Sequence, residues 1–273
     1  MHCAIIYDFD GTLAKGDCAQ HGLMPDLGID DIPNFWQEVK ELTRNHDADE
    51  ISMYLWKLWE KAKDKNELNK LSLTNLKQYG SQIPLFNGVP EWFSLINRYA
   101  ADNGIGLSHY IVSSGLEEMI RGTSIAKYFK KIFACRYMYD ESGVPLWPAI
   151  SINYTTKTQF IFRINKGIEN CWDNTSINRF IEPSERAIPF HNMIYIGDGD
   201  TDIPAMKMVK TQGGHSIAVF DVESWEKEVT QNKVQKLIAE ERTDYVVPAD
   251  YRDHSQLTIS VKGILQMIKR KYY

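Results

Sequence analysis

Acidic residues gather in this chain where apolar runs end. Tyr7-Asp8-Phe9-Asp10-Gly11-Thr12-Leu13 closes the apolar run at residues 3–7. In extended backbone, residues i and i+2 share a face, so Asp8 and Asp10 project together from one strand end. Two carboxylates that close repel each other unless a cation or proton intervenes, which makes the pair costly as mere turn structure. A second segment, Ile194-Tyr195-Ile196-Gly197-Asp198-Gly199-Asp200-Thr201-Asp202, again delivers acids from an apolar strand, and Pro204 suits the first turn of a following helix. Asp198 follows the strand directly, between glycines that permit close backbone approach. Asp200 and Asp202 are each as compatible with capping the helix as with ligation. Two acidic strand ends in one sheet form an oxygen-rich site for a hard cation such as Mg²⁺.

Two further segments suit an anion. The run His109-Tyr110-Ile111-Val112 ends in Ser113-Ser114-Gly115, where hydroxyl and backbone N–H groups at a helix N-terminus can hold phosphate oxygens. Lys157, within Tyr154-Thr-Thr-Lys-Thr-Gln-Phe-Ile, precedes an apolar helical run and offers the positive charge such an anion needs; Lys166 competes for that part.

The elements that must position these groups follow from the apolar pattern. Short runs at 3–7, 109–112, 193–196 and 216–220, with a weaker one at 244–247, read as buried strands. Helical stretches such as 90–103 and 116–130 alternate with them, which predicts an α/β domain: a doubly wound parallel sheet with helices on both faces. Residues 17–83 break the rhythm. They carry helical apolar spacing at Phe35, Val39 and Leu42, at Leu55, Leu58, Trp59 and Ala62, and at Leu68, Leu71 and Leu76, with no convincing strand. The expected division is a catalytic core from residues 1–16 and 84–273 with an inserted all-helical cap at 17–83, and Pro84 to Pro90 as the return linker. After Ile132-Phe133-Ala134, the stretch from Tyr137 to Ile152 reads as a hairpin turning at Glu141 to Gly143, and residues 255–269 as a closing helix.

Composition sets the outer limits. The 273 residues are 43% hydrophobic and 25% charged, ordinary for a globular chain. Thirty-one basic against thirty-six acidic residues give a net charge of -5, which argues against nucleic acid as the main partner. Cys3, Cys18, Cys135 and Cys171 are scattered with no CxxC pair, so neither a zinc cluster nor a disulfide framework is indicated. No run can span a bilayer and the N-terminal residues lack a signal-peptide pattern, so the expected location is the cytoplasm, without a membrane partner.

Taken together, Asp8-Phe9-Asp10-Gly11-Thr12, Ser113, Lys157 and Gly197-Asp198-Gly199-Asp200-Thr201-Asp202 resemble the four motifs of the haloacid dehalogenase superfamily in order and spacing. The Ser-Ser-Gly form, the hairpin before Lys157 and the position of the helical insertion are most similar to the phosphoserine phosphatase branch. The resemblance implies a Mg²⁺-dependent phosphatase acting on a small phosphorylated metabolite. In it Asp8 attacks phosphorus to form a phosphoaspartate, and Asp10 acts as acid and then base. Ser113 and Ser114 with Lys157 bind phosphate; the metal is held by Asp8, the main-chain carbonyl of Asp10, and Asp198, with Asp202 orienting its water. The rivals are a phosphomutase using the same intermediate and a binding protein that keeps the fold without turnover. No motif in 17–83 fixes a substrate; Trp36, Arg44 and His46 are candidates to meet one.

Overall fold

In the computed structural model, residues 1–272 are described. Seven strands form one sheet: β1 (His2–Tyr7), β2 (Gly106–Leu116), β3 (Phe129–Tyr139), β4 (Pro145–Ile150), β5 (Met193–Gly197), β6 (His215–Phe220) and β7 (Tyr245–Pro248), in the order β4-β3-β2-β1-β5-β6-β7. All neighbours pair parallel except β3 with β4. The chain builds outward from β1 on one side and then returns to build β5 to β7 on the other. Crevices at the carboxyl ends of such sheets open where the strand order reverses, here between β1 and its neighbours.

The central strands are apolar because both faces are covered: every residue from Cys3 to Tyr7 and from Met193 to Ile196 is fully buried. Helix α5 (Val89–Asp102) covers one side, with Val89, Trp92, Phe93, Ile96 and Ala100 buried at helical spacing. From it Trp92 Nε1 donates to the Tyr7 hydroxyl at 2.8 Å, and Tyr7 lies 3.0 Å from His109 Nδ1. His109 Nε2 in turn lies 2.9 Å from Asn97 Oδ1. This chain of buried hydrogen bonds fixes the strand end from which Asp8 emerges. Burial holds the His109 imidazole down to about 3, so it is neutral at physiological pH.

Residues 17–83 contain helices and no named strand: α1 (Leu23–Asp26), α2 (Ile32–His46), α3 (Glu50–Asp64) and α4 (Leu73–Gly80), with short 3₁₀ turns. Asp31, Asp49 and Ser72 cap α2, α3 and α4 by accepting backbone N–H groups three residues on. Phe35 and Val39 of α2 and Tyr54, Leu55 and Leu58 of α3 are buried. The segment leans on the β3–β4 hairpin, where the Tyr137 hydroxyl donates to the Leu55 carbonyl at 2.7 Å and Trp59 Nε1 to Pro145 O at 3.2 Å. Its two connections to the sheet run side by side, as Lys15 N donates to Pro84 O and Phe86 N to Leu13 O.

Two expectations need correction. The helix anticipated at 116–130 is only α6 (Glu117–Gly122) followed by a 3₁₀ turn, and β3 begins at Phe129. The β-branched and aromatic residues from Thr123 onward favour that strand. Ser113, Ser114 and Gly115 lie within β2, which continues to Leu116, rather than at the start of a helix. The remaining helices are α7 (Lys157–Lys166), α8 (Asn174–Asn178), α9 (Ile203–Thr211), α10 (Glu228–Ala239) and α11 (Gln256–Arg270).

Candidate active site

Three parallel strands deliver their ends to one place. Asp8 follows β1, Asp198 follows β5, and Ser113 lies near the end of β2. The backbone is held in register there, since Asp8 N donates to Ile196 O at 2.9 Å. Gly11 then turns the chain with φ of 67°, and a Cβ at that position would sit 2.7 Å from the Asp198 carboxylate. Only glycine allows the first loop to pass so close to the fourth.

A buried cation ties these ends together. The Lys157 ammonium, at the start of α7 and wholly inaccessible, lies 2.9 Å from Asp8 Oδ2 and 2.7 Å from Asp202 Oδ1. Burial opposes its charge, but Asp202 and Asp8 outweigh that and hold its pKa above the usual lysine range. A buried ammonium is tolerable only when paired in this way. Asp202 is fully engaged. Its Oδ1 also accepts from the Tyr195 hydroxyl at 2.7 Å, while Oδ2 accepts from Asp198 N at 3.0 Å and Gly199 N at 3.3 Å. A carboxylate has about four lone-pair positions, so Asp202 is spent on fixing Lys157 and the Asp198 backbone. Asp200, by contrast, is exposed.

The two carboxyls of the first segment have different surroundings. Desolvation first and Asp202 second push the Asp8 carboxyl up to about 7, against the pull of Lys157. Asp10 has no such cation: its Oδ1 accepts from Cys18 N at 2.8 Å, and desolvation, then Asp17 and Asp8, hold it well above the usual carboxylate range. Of the adjacent pair, Asp10 therefore retains its proton more readily and Asp8 is the better-supported anion.

These groups open into a cleft of about 320 Å³, lined among others by Asp8, Asp10, Ser113, Ser114 and Asp198. Ser113 Oγ accepts from Gly115 N at 3.0 Å, and Ser114 Oγ is buried with no partner. Of the lysines weighed in the sequence, Lys157 is at the site; Lys166 instead caps carbonyls of Ile177 and Arg179. Of the residues considered on the helical segment, Trp36 lines the cleft and Arg44 and His46 do not. His46 faces a separate apolar groove with Leu42, Trp56 and Trp147. The cleft also draws in Asp17, Glu50 and Tyr54, which sequence reasoning passed over. Glu50 and Tyr54 stand four apart just after the Asp49 cap, one helical turn on the same face, a spacing visible in the sequence but not distinctive.

A hard cation fits the donor set. Carboxylate oxygens of Asp8, Asp198 and Asp202 lie within 4.8 Å of one another, and with Asp202 already engaged, Asp8 and Asp198 are the carboxylates left to offer the hard oxygen donors that Mg²⁺ takes. Asp198 Oδ2 is at present paired with Lys233 of α10 at 2.9 Å.

No protein-family model matches the chain. An uncharacterised protein of Borreliella burgdorferi is 32% identical in an alignment 232 positions long that covers 76% of this chain and 78% of the relative, and the two belong to one family. Among solved structures, a HAD family hydrolase of Salmonella enterica serovar Typhi has a TM-score of 0.55 at 15% identity, over 96% of this chain and 70% of that one. A phosphoserine phosphatase in its apo form also gives 0.55, at 17% identity, over 96% of this chain and 98% of the other. The fold is that of the haloacid dehalogenase superfamily. Within this fold the four sequence segments singled out above converge on the cleft. Among the described residues no helix is long and apolar enough to cross a membrane.

Proposed function

We propose that the chain is a Mg²⁺-dependent phosphatase that hydrolyses a small phosphomonoester through a phosphoaspartate on Asp8. The observation that carries this is the Lys157 ammonium, sealed from solvent between Asp8 and Asp202. A buried cation beside a cleft carboxylate keeps that carboxylate available as an anion and offsets charge on an arriving phosphoryl group. In the proposed first step Asp8 Oδ attacks phosphorus, the P–O bond to the alcohol breaks, and Asp10 gives its proton to the departing oxygen. Asp10, now ionised, takes a proton from the water that cleaves the phosphoaspartate, returning both carboxyls to their first state. Ser113 and Ser114 offer hydroxyls to phosphoryl oxygens; the unpartnered Ser114 Oγ has no competing use.

Asp8, Asp198 and the main-chain carbonyl of Asp10 would hold Mg²⁺, with Asp202 behind them as a positioning residue. When bound, the ion supplies Lewis-acid neutralisation of phosphoryl charge. Residues 17–83 would serve as a cap that covers the cleft and limits substrate size, and residues 1–16 and 84–273 as the catalytic core.

The test is hydrolysis of an aryl phosphate by the purified chain with Mg²⁺, with and without excess chelator. Loss of activity on chelation and its return with Mg²⁺ support the reading; activity undiminished by chelator removes the metal from it. Transfer of phosphate to an added sugar phosphate, in place of release as inorganic phosphate, would identify a mutase instead.

A further inference from the structure

The cleft's charge is one-sided. Its charged lining residues are Asp8, Asp10, Asp17, Glu50 and Asp198, and among the described residues no lysine, arginine or histidine lines it. Nearby lysines are already committed, Lys157 to Asp8 and Asp202 and Lys233 to Asp198, and His21, a neighbour of Asp17, has its Nε2 2.7 Å from the Lys15 carbonyl. Phosphoryl transfer accounts for Asp8, Asp10 and Asp198. Asp17 is partly used, since its Oδ1 accepts from Ala19 N at 2.8 Å. Glu50, at the first position of α3, has no ion pair or side-chain hydrogen bond among the described residues.

Beside Glu50 the lining is aromatic. Trp36 and Tyr54 stack with ring centroids 5.0 Å apart and planes 23° from parallel, and Tyr154 joins the same lining. Tyr54 is only 2% exposed, and its hydroxyl is buried without any hydrogen-bond partner. Burial and the Asp17 charge hold its phenol well above the ordinary range, so it stays neutral and can accept a hydrogen bond. A cationic group satisfies all of these at once: carboxylates attract it, aromatic faces attract it through their quadrupoles, and the Tyr54 oxygen accepts an N–H. A leaving group bearing a carboxylate or a second phosphate would meet the like charges of Glu50 and Asp17. A nucleoside would stack and offer N–H or O–H donors to Glu50, but it brings no positive charge to offset it.

We infer that the alcohol released from the substrate carries a positive nitrogen and no anionic group: the substrate is the phosphate monoester of a small amino or quaternary-ammonium alcohol. This rests on the phosphatase reading and adds the identity of the group that faces Glu50, Trp36, Tyr54 and Tyr154.

The experiment compares kcat/KM of the full chain with Mg²⁺ on phosphocholine, phosphoethanolamine, phosphoserine, a nucleoside 5'-monophosphate and 3,3-dimethylbutyl phosphate, the uncharged isostere of phosphocholine. An aryl phosphate checks the phosphatase reading separately. The ammonium esters should exceed the isostere and phosphoserine by about tenfold or more, the scale of one desolvated cation–π contact with a nearby carboxylate. A lead for phosphocholine assigns the larger share to the aromatic faces, and a lead for phosphoethanolamine to Glu50 and the Tyr54 oxygen; either supports the inference. Glu50→Gln should bring the ratio of phosphocholine to its isostere towards one, and Glu50→Lys should shift preference towards phosphoserine. Choline or ethanolamine binding, followed by tryptophan fluorescence against 3,3-dimethylbutanol, reads the same subsite without turnover. Aryl phosphate hydrolysis with no preference for ammonium esters, or with preference for the nucleotide, overturns the inference and spares the phosphatase. If aryl phosphate is not hydrolysed, the phosphatase reading falls, and equal binding of the charged and uncharged alcohols would sink the ammonium subsite as well.

Discussion

At the strand ends the buried charged groups have partners, although the Thr12 and Ser114 hydroxyls have none: Lys157 sits between Asp8 and Asp202, and Asp202 accepts from Tyr195 and two backbone N–H groups. On the helices of residues 17–83 the cleft is faced by groups without partners, Glu50 and the Tyr54 hydroxyl. Satisfied groups hold a fixed geometry, as chemistry on a small, highly charged group needs. Unsatisfied ones wait for a ligand. The contrast assigns reaction to the strand ends and recognition to the helices, and the two should respond differently to substitution.

The largest effect should come from Asp8→Asn. An amide is a poor nucleophile, and the change also removes a partner of Lys157, so phosphoryl transfer should fall by about 10⁴ or more. Acid quenching with radiolabelled substrate should then trap no phosphoprotein, whereas Asp10→Asn, losing about 10² to 10⁴ in turnover, should still label at Asp8. Label on Asp10 would exchange the two assignments. Lys157→Ala comes next. It leaves Asp8 and Asp202 buried without their cation, which typically costs about 3–5 kcal/mol, so chemical denaturation should show the loss as clearly as kinetics does. A Lys157→Ala protein of unchanged stability and rate would mean that the buried ion pair is incidental.

Much of the strand-end side was legible in the sequence, because apolar runs that stop at acids identify both the strand and the place where it ends. Asp8 and Asp198 needed only residue order and type, whereas Lys157 competed with Lys166 and was favoured only by the resemblance of the four motifs. The helical side was less legible. Trp36 and Arg44 lie on the same helix, yet their eight-residue separation carries them on the order of 12 Å along its axis, and only Trp36 reaches the cleft. Periodicity finds the buried stripe of a helix but not which end of it overlies a crevice. The role of Asp202 was hidden for another reason: four donors converge on it from β5, α7 and the following loop, and a count of donors exists only in three dimensions. Arg44→Ala, at an exposed position outside the cleft, should accordingly leave the ranking of substrates unchanged within about twofold, the scatter of ordinary surface substitutions. A reordered ranking would extend the recognition surface beyond the cleft.

The smallest expected effect lies at Lys233, a helical residue that reaches the strand ends and so tests whether the separation is complete. Its ammonium is 2.9 Å from Asp198 Oδ2, with about a third of its side chain exposed. Burial works against its charge, but Asp198 outweighs that and holds its pKa up. Lys157 lies beneath the site, where phosphate needs it; Lys233 instead occupies an oxygen that the proposed Mg²⁺ would use, and it lines a second cavity on the far side of Gly11 and Asp198. A cation entering there must share Asp198 with it or displace it. Removing one positive charge next to a cation site strengthens that site, and partial exposure screens the gain. Lys233→Met should therefore tighten Mg²⁺ binding by roughly threefold to tenfold, the size of a partly screened charge contact, measured by calorimetric titration of the metal-free protein. The effect should shrink as salt is raised. Weaker binding in Lys233→Met would show that the lysine holds Asp198 in its coordinating position, and α10 would then share with the strand ends in building the metal site.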